Sequence, residues 1–135
     1  MANEAVIIEL LGFPPGEPVQ YTVANGVTIS GGTLCYLVEP RTASGSAVSI
    51  ANPVPAGIAA TDKLANDGST TLAFYTHGIF DLVAAPTAIT LGHPVMISGS
   101  NLISGALNVN NVGEILGICL ETAAASERVA VKVRL

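Results

Sequence analysis

TTLAFYTHGIFDL, residues 70–82, places Leu72, Phe74, Thr76, Gly78, Phe80 and Leu82 at every second position. Alternation of period two puts these side chains on one face of an extended strand, whereas a helix of 3.6 residues per turn would scatter them. This is the longest strand signal in the chain. A bend is expected at Gly78, because a glycine inside a strand has no side chain to pack and marks a kink or a close backbone approach.

The same period recurs on both sides. Upstream, EAVIIELL (4–11) is a strand candidate, Val19, Tyr21 and Val23 alternate in a second, and Leu34, Tyr36 and Val38 in a third that stops at Pro40. Val48 and Ile50 mark a short strand ended by NPVP. Downstream, PVMIS (94–98), ISGALNV (103–109), EILGICLE (114–121) and RVAVKVRL (128–135) continue the pattern. Eight or nine short strands are expected, separated by Gly-, Pro- and Ser-rich turns. ETAAASE (121–127) is the one good helix-forming stretch, and it is too short for more than a turn without tertiary support. The fold class is therefore all-β: a small single-domain β-barrel or β-sandwich with short strands and at most one short helical turn.

A looser rhythm runs through the chain. Gly26-Val27, Gly57-Ile58, Gly78-Ile79 and Gly117-Ile118 each precede a loop and then a strand. Glycine supplies a bulge or close approach at a corner and the following β-branched residue a plug for the core. The spacings are uneven, which does not fit a solenoid.

A length of 135 residues suits one domain with one modest core. Half the residues are hydrophobic and 11% are charged, well below the roughly 25% of ordinary soluble domains. Such a surface must be rich in small neutral residues, or be partly covered by a partner. No charge falls between Asp81 and Glu114, but Pro86, Gly92, Pro94, Gly99, Asn101 and Asn108 interrupt that run. It cannot supply the ~20 continuous apolar residues of a spanning helix. MANEAVIIELL carries Glu4 and Glu9 and lacks a basic start, unlike a secretory signal; the chain is expected to stay in the cytoplasm of the cell that makes it.

The net charge of −5 and the scattered bases speak against nucleic acid, which needs a concentrated cationic stripe. Arg128, Lys132 and Arg134 alternate with Val129, Val131 and Val133 as the solvated face of a strand would. Cys35 and Cys119 each sit in an apolar run, as reduced core thiols do.

Catalytic patterns are missing. There is no G-x-G and no Gly-Lys for a phosphate loop, and no G-x-S-x-G elbow. His77 and His93 lack metal-ligand spacing. His77 and Asp81 share a strand face and could pair as a general base, but no nucleophile motif accompanies them, and a surface or interface histidine is the simpler reading. His93 precedes Pro94 and reads as a turn residue. TDKLANDG (61–68) lacks the alternating acids and terminal Glu of an EF-hand and reads as a solvated connection. No Trp and six aromatics leave little for a sugar platform. No enzyme, cofactor or metal site is expected.

The segments GIAATDKLANDGSTTLAFYTHGIFDL (57–82), AITLGHPVMIS (88–98) and GEILGICLETAAASERVAVKVRL (113–135) resemble the capsid decoration, or cementing, proteins of tailed bacteriophages. The ending Ile115–Leu135, the Gly57–Ala59 step and Gly78–Phe80 carry the likeness, which spans about residues 26–135. His93 after Gly92 departs from the acid often found there. The resemblance implies an all-β head-stabilising virion protein that reacts with nothing. It implies binding to the capsid exterior, as a homotrimer, and bridging of major capsid protein subunits, with synthesis in the host cytoplasm. Neither nucleic acid nor membrane is an expected partner.

Within one domain, residues 1–25 are expected to form an N-terminal strand and Pro-rich arm of the same unit, and 26–135 the barrel or sandwich core. Phe13, Pro14 and Pro15 are the candidate contact with the shell, since a pre-extended segment loses less entropy on docking. Competing readings are a tail, fibre or baseplate β-domain, a receptor- or glycan-binding module, and a small trimeric hydrolase of the dUTPase type. The last wants a Gly-rich phosphate-binding tail where this chain has VAVKVRL.

Overall fold

The computed structural model describes residues 3–11, 17–45, 53–106 and 112–135. Eleven strands form among them, joined by turns and one 3-10 turn at Val112–Glu114, so the all-β expectation holds. The expected strand at Val48 and Ile50, and residues 107–109 of ISGALNV, lie outside the described residues.

The strands close into two barrels. In the first, β2 (Val19–Thr22), β3 (Leu34–Val38), β4 (Thr42–Gly45), β5 (Pro55–Ala59) and β6 (Thr71–Tyr75) run in the order β2-β4-β3-β5-β6, and β6 returns to β2. In the second, β7 (His77–Ala84), β8 (Pro94–Ile97), β9 (Leu102–Gly105), β10 (Gly117–Cys119) and β11 (Arg128–Arg134) run β7-β11-β10-β8-β9. A parallel pair at Val83↔Leu102 and Ala84↔Ile103 closes it. β1 (Val6–Leu10) adds antiparallel to β7. Closure pairs the strand edges that an open sheet would leave as templates for aggregation.

The stretch 70–82 supplies strands to both barrels. Its even positions are buried from Leu72 to Leu82, as alternation requires, but the break falls at Thr76, between β6 and β7. Gly78 keeps the chain extended through another constraint. A Cβ there would stand 2.6 Å from the Glu9 carbonyl oxygen of β1, so only glycine lets β1 approach β7.

The two barrels are copies of one design. Left-handed backbone occurs at Gly32 and Gly92, at Arg41 and Asn101, and at Asn66 and Ser126; 92−32, 101−41 and 126−66 all equal 60. The isolated bridges Ile29↔Lys63 and Ile89↔Ala123 obey the same offset. So do the turn bonds Gly32 N to Ala59 O (2.8 Å) and Gly92 N to Cys119 O (2.9 Å). After β10 the second copy is three residues shorter, since Ile58 pairs with Tyr75 whereas Ile118 pairs with Lys132.

Two buried clusters follow from the two closures. Val23, Ile29, Cys35, Ala43, Leu72 and Phe74 fill the first barrel. The second cluster, around Phe80, Leu82, Val95, Ile103, Leu116, Val129 and Val131, also takes in Leu34 and Ile58 from the outside of the first barrel. Each such aliphatic side chain removed from water stabilises by roughly 1.5–3 kcal/mol, and here that burial welds barrel to barrel. Asn101 adds a polar tie: its side-chain oxygen accepts the Leu34 amide at 2.9 Å, in a fully buried setting.

Candidate interaction surface

The surface is marked by exposed apolar groups and by the segments that hold them. β1 presents Val6, Ile7 and Ile8, three successive aliphatic residues each about half exposed. The register slips between Ile7 and Glu9, so Ile8 is bulged out of the ladder. Just before β1, the Ala5 amide donates to the Gly32 carbonyl at 2.7 Å. That docks the N-terminal segment on the first barrel while β1 itself pairs with the second. Between them lies an open, mostly apolar cavity of about 330 Å³ bordered by Val6, Ile7, Ile58 and Tyr75.

Phe13, Pro14 and Pro15, the contact residues expected from sequence, lie outside the described residues. They fall between β1 and β2. β1 was expected as a strand from EAVIIELL, but its exposed Val6-Ile7-Ile8 run was not singled out as a surface; three adjacent β-branched residues cannot all face one core in a period-two strand, and that was the available signal.

His77 and Asp81 are not brought together. The His77 ring sits beside the Thr76 hydroxyl (3.3 Å), and the Asp81 carboxylate faces Arg128 at 3.9 Å. His93 occupies a turn, its amide donating to Thr90 O. Cys35 and Cys119 are free and buried; burial pushes the Cys35 thiol up to about 12, which leaves it unreactive. Among the described residues, no three His, Cys, Asp or Glu side chains gather as a metal site, and no helix is long and apolar enough to cross a membrane.

Lys63 is the exception in TDKLANDG, whose other residues are exposed as in a solvated connection. It is 2% exposed. Its ammonium donates to the carbonyls of Asn25 (2.8 Å), Val27 (3.1 Å) and Leu64 (3.1 Å) and faces Asp67 at 3.3 Å. A buried ammonium is tolerated only when its donors are all met, and here three carbonyls and a carboxylate meet them. The Ser69 amide first, then Lys63 and the Leu64 amide, hold the Asp67 carboxyl below its ordinary value. Lys63 thus staples the loop after β2 to the loop after β5. The sequence hides this, because the acceptors are main-chain atoms, two of them nearly forty residues away.

Low charge, two closed barrels and exposed aliphatic edges describe a protein that makes contacts. Compared with known families, residues 13–135 match the phage cement protein family. No curated protein matches the chain. The family consists of structural, capsid-stabilising phage proteins, which makes this a virion component that binds the phage capsid. With nearly its whole length matched, the chain belongs to the phage cement protein family.

Proposed function

We propose that this protein sits on the outer surface of the capsid as a homotrimer and stabilises the shell by bridging neighbouring major capsid protein subunits. The family match over residues 13–135 carries the reading. Its physical support is the combination of 11% charged residues with half-exposed Val6, Ile7 and Ile8. Many weak apolar contacts repeated over a shell stabilise the assembled state by mass action, since the ligand binds the assembled state in preference to the dissociated one. The two barrels and β1 act as one unit, made in the host cytoplasm, and no catalytic step is part of this function.

Phe13, Pro14 and Pro15 remain the proposed shell contact. Deleting residues 1–15 would also strip β1 from β7, so the cleaner variant is Phe13→Ser with Pro14→Ala and Pro15→Ala. It should lower occupancy on particles while the melting temperature stays unchanged; full occupancy would remove the arm from the contact. The function itself is tested by copy number relative to the major capsid protein in density-purified particles. A ratio near one is expected, a few copies per particle would indicate a tail, fibre or baseplate part, and absence would end the virion reading.

A further inference from the structure

The contact between the two barrels uses one face of each, and the internal repeat shows what has become of the equivalent faces. The first barrel buries the outside of β3, β5 and β6 against the second, through Leu34, Ile58, Tyr36 and Tyr75. Sixty residues on, the same outer face of the second barrel carries Pro94, Met96 and Ile118, and its rim carries Leu91 and Leu120. Ile58 is 1% exposed but Ile118 is 49% exposed; Leu91 and Leu120 are 59% and 40% exposed. An apolar face that is core in one copy is surface in the other.

The receiving side shows the converse. The second barrel receives its neighbour with Phe80, Leu82 and Asn101, all fully buried, and Tyr75 packs on Phe80 with ring centroids 6.0 Å apart. The strand pairings place Val19 where Phe80 stands, because Val19 pairs with Phe74 and Phe80 with Val131. Tyr21 and Arg41 then take the places of Leu82 and Asn101. Val19 and Tyr21 are only half-buried and Arg41 is exposed. Both halves of the internal contact therefore recur, the first open on the second barrel and the second half-buried on the first, where Tyr21 packs on Phe74 beneath Arg41.

We infer that a second copy of this chain covers the Leu91–Ile118 face of the second barrel with the Val19–Tyr21–Arg41 end of its first barrel, repeating between chains the contact already made within one. This is a head-to-tail contact, which forms a ring when its rotation closes. Only the number three in such a ring rests on the trimer proposed above. The Asn101 tie also fits its translation: Asn101 accepts the Leu34 amide, and the Arg41 side chain, which has no acceptor to offer, would face Pro94, which has no amide to donate.

The test uses the full-length protein in two variants with one added cysteine each, Arg41→Cys and Pro94→Cys, treated with a short bismaleimide. The native thiols are buried and do not compete. A covalent dimer is expected only when the two variants are mixed, and adding Ile118→Asp to the Pro94→Cys chain should reduce its yield at least tenfold. Ile118 is half exposed, so that variant folds, which an unchanged circular dichroism melt would confirm. No mixed dimer, or a dimer indifferent to Ile118→Asp, overturns this contact and leaves the capsid-stabilising function standing. Loss of capsid binding by the native protein would do the reverse.

Discussion

The first barrel and the second share strand order, turns and a 60-residue offset, yet they solve the same corner differently. At the bridge Ile29↔Lys63 the first barrel buries a charged side chain and meets it with three carbonyls and Asp67. At the equivalent bridge Ile89↔Ala123 the second barrel uses a buried methyl group. The loop that Lys63 ties down, from β5 to β6, is also the one that is three residues longer. The Lys63 ammonium meets one carbonyl of that connection, at Leu64, and two of the loop after β2, at Asn25 and Val27, so a long side chain with three donors joins the two loops from inside. Main-chain geometry is thus the shared element, carried at one corner by an ammonium and at the other by a methyl group.

The strongest way to break the equivalence is at the glycine that both copies keep. A Cβ on Gly117 would overlap the Lys132 carbonyl, and one on Gly57 would stand 2.5 Å from the Tyr75 oxygen. The obstacles are backbone atoms, so Gly117→Ala should cost about 3 kcal/mol or more, with Gly57→Ala similar. Urea denaturation measures both; a near-neutral Gly117→Ala would remove the shared constraint.

Lys63→Met leaves an unbranched side chain one atom shorter and removes the charge. It takes a donor from three carbonyls, of which Asn25 O keeps the Asn66 amide, and a partner from Asp67, and should cost about 2–3 kcal/mol by chemical denaturation. Ala123 offers the opposite check: Ala123→Lys forces an ammonium into a corner built for a methyl and should be at least as damaging.

A third comparison reads the docking of the N-terminal segment. Gly32 and Gly92 have nearly the same left-handed φ, 89° and 85°. Ala5 O would be 2.7 Å from a Cβ on Gly32, while nothing lies within 4 Å of one on Gly92. Gly92→Ala should therefore show only the conformational penalty of about 1 kcal/mol, and Gly32→Ala about 1–2 kcal/mol more from displacing Ala5. Equal losses in thermal melts would mean that residues 4–5 do not hold to the first barrel in solution.

Thr33 offers a gain. Its hydroxyl is fully buried without a hydrogen-bond partner, so Thr33→Val should raise stability by about 1 kcal/mol, seen as a higher urea midpoint at unchanged slope.

The smallest expected effect is a pH dependence confined to the first barrel. The Asp67 carboxyl titrates below its ordinary value in the folded chain. Its contribution is therefore present above the unfolded pKa, near 3.8, and fades as pH falls through the lower folded value. Asp67→Asn should remove that contribution at neutral pH, leave stability below the folded value unchanged and so flatten the acid limb in that window; an unaltered acid limb would mean that Ser69 and Lys63 do not hold the ionised form.

What could be read along the chain was whatever depends on near neighbours. Alternation at 70–82 and 128–135 gives strands because a pleated backbone turns successive side chains to opposite faces. Scarce charge and absent catalytic spacings point to a contact-making protein, and the Gly-Ile steps carry the family likeness. Gly57 and Gly117 were visible as members of a rhythm, yet mixing them with Gly26 and Gly78 obscured the even 60-residue offset. The repeat lies in φ angles and carbonyl positions, which Arg41 and Asn101, or Lys63 and Ala123, satisfy with unlike side chains. Which strand pairs with which, that the alternating stretch 70–82 divides at Thr76 between two barrels, that Lys63 is inside, and that Ile58 is buried while Ile118 is bare were decided only by tertiary structure. Each depends on main-chain atoms distant in sequence, and a residue type carries no record of the partner that will cover it.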